Sequence, residues 1–558
     1  MKRDIARLAD EHFDLLVIGG GIYGAALAWD AALRGLSVAL IERSDFGQAT
    51  SANSLKVVHG GLRYLQDARP DRMRRMVRER RAIMRMAPHL VRPMAFLLPT
   101  TAGGLRSMPA MRLALLASDG IGFDRNRGLE QAQWLPPGRV ISRDETIGRV
   151  PGLAQLSAIT GAALWYDAQI YNTERFLLAV LKSAVEAGAA VVNYAEACQL
   201  IVRRGRVVGA TVHDQVADEA LDVRARVTVN AAGPWVDTVL AGAQAADRPR
   251  IFWPSLAVNL VTRPFVVGEA VGFSTAPDAA DANGSRRRAA TLFAVPWRDR
   301  SLVGTFHLPY SGGPEPLQVE DEQIRHMLET VNRAYPAADL SADDVSLIHA
   351  GLLPVRVGSS GQHVVLIRDG WLVDHRRRDD LAGLLTVVGV KYTAARELAE
   401  RAVDWVTAEL GRRVDRCRTE TELLHGARQG ADPVVLADEL LRLSPGLQAE
   451  AAGNLASLYG TEAGWIVALA AGGGNRFPQE ELLRAQTRYA VREEMALHLG
   501  DVVLRRMDLG SAGRPTADLL QSIAKTMGDE LAWRDTDRRQ ELDELDAHYA
   551  ARTYAAAH

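Results

Sequence analysis

Short, continuous apolar runs alternate with stretches of helical period through the N-terminal part of this chain, and helical period prevails toward its C-terminus. Leu15–Ile18 and Leu36–Ile41 are uninterrupted apolar runs, as expected of strands buried on both faces of a parallel sheet, and Ala25–Leu33 between them carries the small residues of a helix packed on that sheet. Asp71–Met86 has one apolar and one arginine-rich face and predicts an amphipathic helix. A second βα stretch follows, with a helix over Phe176–Ala187 and strands at Ala190–Tyr194, Val207–Val212 and Ala225–Ala231. Strand-like runs separated by turn residues, Ala257–Thr262, Thr291–Val295 and Leu302–Thr305, suggest an antiparallel sheet. Leu384–Gly389 reads as a last strand of the first unit, running into a helix at residues 394–409, and Gln479–Leu499 and Ala517–Glu530 are helical. The expected fold class is therefore α/β, α+β overall. A discontinuous Rossmann-like unit spans 1–245 and 361–410, a sheet unit 246–360, and a helical unit 411–558.

The turn between the first strand and helix carries the first chemistry. Gly19, Gly20, Gly21, Ile22, Tyr23 and Gly24 contain the spacing GxGxxG, whose glycines permit a tight turn, close approach of a pyrophosphate and close helix–strand packing. The helix that starts there directs its N-terminal amides and positive dipole end at the phosphates. Glu42, at the end of the second strand, is placed to accept hydrogen bonds from a ribose, with Arg43 beside it. A bound adenine dinucleotide follows, and with it redox chemistry, although the motif alone does not separate FAD from NAD.

Composition narrows the function classes. The 558 residues are 47% hydrophobic and 24% charged, enough for several buried cores, and a net charge of −2 gives no general attraction to nucleic acid. Two cysteines, Cys198 and Cys417, have no metal-ligand or CxxC spacing, so no metal site is expected and a reducing cytoplasm is the expected location. The charged N-terminus and the lack of an eighteen-residue apolar run argue against a secretory leader or a spanning helix.

Residues 50–65, Thr-Ser-Ala-Asn-Ser-Leu-Lys-Val-Val-His-Gly-Gly-Leu-Arg-Tyr-Leu, resemble the flavin-binding signature of FAD-dependent glycerol-3-phosphate dehydrogenases. Asn230–Val236, Val295-Pro296-Trp297, Arg368-Asp369, Leu458-Tyr459-Gly460 and Leu504–Gly510 extend the resemblance over nearly the whole chain. It implies a D-amino-acid-oxidase-type fold with FAD as cofactor. Thr50, Ser51, Ser54, Lys56, His59, Gly60 and Gly61 would then line the flavin and diphosphate, together with Ala232, Gly233, Trp235, Gly389, Lys391, Tyr392 and Thr393. The helix after Lys391 would bring positive potential to the flavin pyrimidine edge and favour its reduced anion. The implied reaction is hydride transfer from a secondary alcohol carbon to flavin N5. His59 is the candidate base, because its near-neutral reference pKa suits proton removal; a role limited to hydrogen bonding is its alternative. Arg63 and Tyr64 would contact the substrate phosphate, and Lys391, Arg356 and Arg368 complete the candidate anion-binding set.

The substrate side also departs from the family. Where the family carries Gly-x-Arg-Pro, this chain reads Gly351-Leu352-Leu353-Pro354; a glycine-serine-histidine stretch is replaced near Ser255–Val258, and Gly-Thr-Thr-Asp reads Gly304-Thr305-Phe306-His307. A lost charge-assisted arginine contact costs ~1.5–3 kcal/mol, roughly ten- to a hundredfold in affinity. The leading expectation is thus a dehydrogenase of a small anionic, phosphorylated alcohol. The alternatives are an FAD enzyme of another small substrate, such as a hydroxy acid or amine, or a flavin-binding scaffold without turnover, against which His59, Arg63 and Lys391 count. Expected partners are quinone or another electron acceptor, with a homodimer left open. The arginines at 72, 74, 75, 78, 80, 81 and 85 offer two readings, peripheral attraction to the inner membrane or a solvated, salt-bridged helix face, and the second is preferred.

Overall fold

A computed structural model describes the chain except residues 63–68, 243–248, 275–290, 316, 358–363, 431, 472–476 and 555–558. Arg63 and Tyr64 therefore lie outside the described residues. The apolar run of the first strand, His12–Ile18, pairs in parallel with Val38–Ile41 on one side and Glu219–Asn230 on the other. Ala190–Val192 and Leu384–Val388 extend this sheet in parallel at its two sides, Trp371–Asp374 closes one edge, and a hairpin of Ala195–Arg203 and Arg206–Asp214 leans on Glu219–Asn230. From Leu15 onward, alternate residues of the first strand serve different cores, and Phe13 at its start joins the second of them. Leu15 and Val17 meet the helices Ile22–Leu33, Thr173–Glu186 and Ala395–Leu410, while Phe13, Leu16 and Ile18 pack toward the hairpin.

A second, ten-stranded sheet faces the cleft. Its order runs Val364–Leu366, Val345–Val357, Trp253–Thr262, Arg300–Pro309, Thr291–Trp297, Ala270–Ser274, Val91–Thr101, Ile159–Ile170 and Val57–Val58, with Arg139–Ser142 on Ile159–Ile170. This sheet is wider than the expected sheet unit of 246–360, because four of its strands come from residues before 171. Two features hide them in the sequence: Val91–Thr101 carries prolines at 93 and 99, which break the alternation, and its partner Ala270–Ser274 joins it in parallel across a long sequence separation. Helix Asp321–Ala334 buries Ile324, Met327, Leu328 and Val331 against the sheet.

Helices from Pro433 to Ala550 form the C-terminal region. The stretch expected as one helix over 479–499 ends at Glu494: Met495 turns left-handed with φ 52°, and its N–H bonds to Ala490 O. At this helix end Glu494 reaches inward and accepts from the buried Arg175 Nη1 at 2.7–2.8 Å. A second buried ionic group ties this region to the first sheet, with Arg506 Nη2 and Nη1 donating to Asp45 at 2.6 and 2.8 Å and Arg505 joining both Asp45 and Asp501.

The arginine-rich helix Pro70–Met86 buries Met73, Met76, Val77, Ile83 and Met84. Its basic side is engaged with carboxylates. Arg72 meets Asp369 at 2.5 Å, Arg74 and Arg81 share Asp124, Arg78 and Arg81 share Glu420, Arg80 meets Asp167, and Arg75 lies 3.5 Å from Glu397. That is the salt-bridged face. Among the described residues no helix is long and apolar enough to cross a membrane, and Cys198 and Cys417 are free.

Candidate active site and cofactor cleft

A cleft of about 1280 Å³ runs between the two sheets, and the C-terminal segment contributes His548, Ala551 and Arg552 to its wall. At its nucleotide end the chain makes the expected turn. Gly19 has φ +112°, and a Cβ there would lie 2.7 Å from the carbonyl of Ala231; a Cβ on Gly24 would overlap the carbonyl of Gly19. Neither position accepts a side chain, so the helix Ile22–Leu33 starts directly against the strand ends. Its first amide, Ile22 N–H, donates to Ser51 Oγ at 3.1 Å, which brings a hydroxyl from the 50–56 segment to the helix N-terminus. Glu42 accepts from Gly20 N–H at 2.6 Å and from Ser44 N–H at 3.0 Å, leaving lone pairs for a ribose. Burial pushes the Glu42 carboxyl above the usual carboxylate range, against those two amides, which favour its anion. Arg43 stacks 4.4 Å over Trp235 and pairs with Glu315.

Gly19, Gly21, Ile22, Tyr23, Glu42 and Arg43 line the cleft, as do Thr50, Ser51, Ser54, Lys56, His59 and Gly61, while Gly20, Gly24 and Gly60 shape the turns behind it. From the other edge come Ala232, Gly233 and Trp235, and the strand Leu384–Val388 delivers Gly389, Lys391, Tyr392 and Thr393. Tyr23 locks that last segment. Its hydroxyl donates to Lys391 O at 2.6 Å and accepts from Val390 and Lys391 N–H at 3.1 Å, and burial pushes it up to about 12, so it stays protonated.

Lys56 holds its position in an unexpected way. Its backbone lines the cleft in a left-handed conformation with φ 59°, but its ammonium turns inward to Thr173 Oγ1 at 2.8 Å and Glu174 at 2.9 and 3.1 Å. Burial lowers this lysine against the pull of Glu174, whose own carboxyl the ammonium holds down against its burial. Lys56 thus fixes the flavin-signature loop from beneath and directs no charge into the cleft.

The same cleft is lined by His59, His307, Leu353, Arg368 and Lys391. His59 is exposed to the cleft, beside Gly60, whose N–H donates to Asp167 Oδ1 at 2.5 Å. Arg356 does not join them: it lies exposed on strand Val345–Val357, opposite Val365, and is not a lining residue. Three residues that the sequence reading missed do belong here. Asp167 anchors both Gly60 and Arg80, Asn259 donates to Asn53 O at 3.0 Å and accepts from Thr305 Oγ1 at 2.8 Å, and Arg552 lines the cleft from the far end of the chain. Asp167 and Asn259 lie on long strands and face inward by alternation, a signal readable once the strands are known; Arg552 had none.

A family model described as FAD dependent oxidoreductase matches residues 14–401, which is most of the chain. This chain belongs to that family. A second model, the C-terminal domain of alpha-glycerophosphate oxidase, matches residues 417–538. The chain is 30% identical over 543 residues to a glycerol-3-phosphate dehydrogenase of Synechocystis, covering 95% of each protein. It is 30% identical over 564 residues to one of Mycobacterium leprae, covering 99% of this chain and 90% of the relative. Among solved structures, the glycerol-3-phosphate dehydrogenase from Bacillus halodurans complexed with FAD superposes with a TM-score of 0.77 at 25% identity, over 99% of this chain and 97% of that one. The family member described here is an FAD-dependent oxidoreductase. Its cleft has features that fit the dinucleotide: a glycine turn that excludes Cβ atoms, a helix N-terminus that could take phosphate and a half-buried carboxylate, Glu42, at the end of the second strand that could accept from a ribose.

Proposed function

We propose that this enzyme oxidises glycerol 3-phosphate, or a closely related phosphorylated secondary alcohol, to the ketone and passes the electrons to a quinone or another acceptor. The observation that carries this reading is the similarity to glycerol-3-phosphate dehydrogenases, 30% identity over nearly the whole chain, which takes in both the cleft residues and the C-terminal helical region. When bound, FAD supplies a two-electron acceptor that takes a hydride at N5. The protein's own residues do the rest. His59, exposed at the cleft wall, takes the hydroxyl proton as the carbinol carbon gives up its hydride, and its ring is held by a loop pinned through Gly60 to Asp167. Lys391 and Arg368 bring positive charge to the same wall, and Arg63 and Tyr64 are assigned to the substrate phosphate by family resemblance. The Tyr23 clamp on Val390 and Lys391 holds that segment against the cofactor.

A second reading has a specific observation in its favour. Leu353 and His307, two positions where the sequence departs from the family, both line the cleft, so another small substrate, such as a hydroxy acid or amine, would meet a different wall. Anaerobic mixing of the holoenzyme with candidate substrates separates the two. Bleaching of the visible flavin band by glycerol 3-phosphate is expected, whereas bleaching only by a hydroxy acid or amine would replace the first reading with the second. His59→Asn should slow flavin reduction by roughly a hundredfold or more. A tenfold or smaller change would reduce His59 to a positioning residue.

A further inference from the structure

The C-terminal segment contributes a cation to the cleft that the flavin-site reading does not use. Helix Asp535–Ala550 packs with Tyr549 buried, its hydroxyl donating to Gly510 O at 3.0 Å, and the chain then turns onto the second sheet, where Arg552 O accepts from Ile348 N–H at 2.8 Å. The backbone at 552 is thereby held on both sides, and the guanidinium reaches the cleft. There it makes one long bond to a neutral amide, Asn53 Oδ1 at 3.4 Å, and among the described residues no carboxylate pairs with it. Two other cations on the cleft wall are differently placed, since Arg43 is engaged by Glu315 and Lys56 by Glu174.

A partly buried guanidinium without a counter-charge is costly to keep, and an incoming anion relieves that cost. Burial lowers Arg552 to about 10, and Arg505, already saturated by Asp45 and Asp501, adds to the effect, so the side chain still carries its charge at neutral pH. Four of its five N–H donors remain for a ligand among the described residues. The position fits the substrate side. Asn53 belongs to the loop whose Thr50 Oγ1 donates to Leu352 O at 3.2 Å, immediately before Leu353, and Leu353 itself offers the cleft only an apolar surface. The dinucleotide phosphates have a separate cradle at Gly19–Gly24, with helix amides and Ser51.

We propose that Arg552 binds the anionic group of the substrate, so that the C-terminal turn sets substrate specificity from outside the flavin-signature segment. The inference rests on the reading of the substrate as a small anion. The test uses purified holoenzyme of the wild type, Arg552→Lys and Arg552→Gln, with flavin content and melting temperature as controls of cofactor retention and folding. Stopped-flow reduction by glycerol 3-phosphate gives the apparent Kd and the limiting rate, and perturbation of the oxidised flavin spectrum by inorganic phosphate gives a binding constant without turnover. In Arg552→Gln both constants should weaken by about ten- to a hundredfold, Arg552→Lys should recover part of the loss, and the limiting rate should fall far less than the affinity. Unchanged constants, an equal fall in rate and affinity, or loss of FAD from Arg552→Gln would overturn the proposal; the last would assign the guanidinium to the cofactor. Should wild-type flavin ignore glycerol 3-phosphate, the proposed function fails, yet the phosphate titration still decides whether Arg552 receives an anion.

Discussion

Gly24 illustrates how much one missing methyl group can specify. Its Cβ would collide with the Gly19 carbonyl, which the strand–helix junction cannot yield without moving the helix that faces the phosphates. Gly24→Ala should therefore give folded protein that purifies largely without flavin, as read from the ratio of visible to protein absorbance; full retention of FAD would show that the helix can retreat. Leu353 poses the opposite question, because the backbone is in place and only the head group differs. On strand Val345–Val357 it lines the cleft opposite Ser255, and arginine there would present a guanidinium to the same space. Leu353→Arg should tighten glycerol 3-phosphate by roughly tenfold if the anion approaches the sheet. Weaker binding would mean instead that Arg552 and the introduced arginine repel each other across one narrow site.

Elements carry the next level of constraint. The flavin-signature loop rests on Lys56–Glu174, and the helical region is joined to the first sheet by Asp45 with Arg505 and Arg506. Burial by itself would raise the Asp45 carboxyl, but the two guanidiniums outweigh it and hold it well below the usual carboxylate range. A carboxyl depressed in the folded state stabilises the fold fully above its unfolded pKa near 4, and that contribution fades as pH falls below this value. Asp45→Asn should lower stability at neutral pH by about 3–5 kcal/mol, since it leaves buried arginines uncompensated, and it should flatten the acid side of the stability profile. Thermal melts of both proteins between neutral and acid pH would check it, and parallel profiles would remove Asp45 from the acid transition.

The same elements show what the sequence disclosed. Continuous apolar runs place the first strand, Val38–Ile41 and Leu384–Val388 within three residues at either end, because strands buried on both faces need no partner to declare themselves. The place of Val91–Thr101 and Ile159–Ile170 in the second sheet is not legible in the sequence, since it depends on partners far along the chain. The glycine turn and residues 50–61 were legible as a site because their spacing is local. Lys56 lines the cleft, but the direction of its ammonium is not legible in the sequence, as only folding reveals Glu174 beneath it.

At the scale of the whole molecule, the cleft is assembled from segments that lie far apart along the chain. Residues 18–62, 231–239, 387–393 and 548–552 all contribute to its wall, and they come from both sheets and the C-terminal helices. A ligand that touches every wall stabilises the assembled state by mass action, about 2.7 kcal/mol when its concentration is a hundred times Kd. FAD should accordingly raise the melting temperature of apoprotein and slow protease cleavage throughout these segments, including the distant turn after Ala550. The C-terminal turn is the informative probe. It lies far in sequence from the glycine turn and the flavin signature, and is fastened to the second sheet through Ile348 and to the helical region through Tyr549. If FAD orders only the Rossmann-like half, cleavage after Ala550 will proceed equally fast with and without it, and the C-terminal wall is then set by substrate or by its own packing. If protection reaches the turn, cofactor binding and formation of the substrate pocket are one event, and the position of Arg552 depends on FAD.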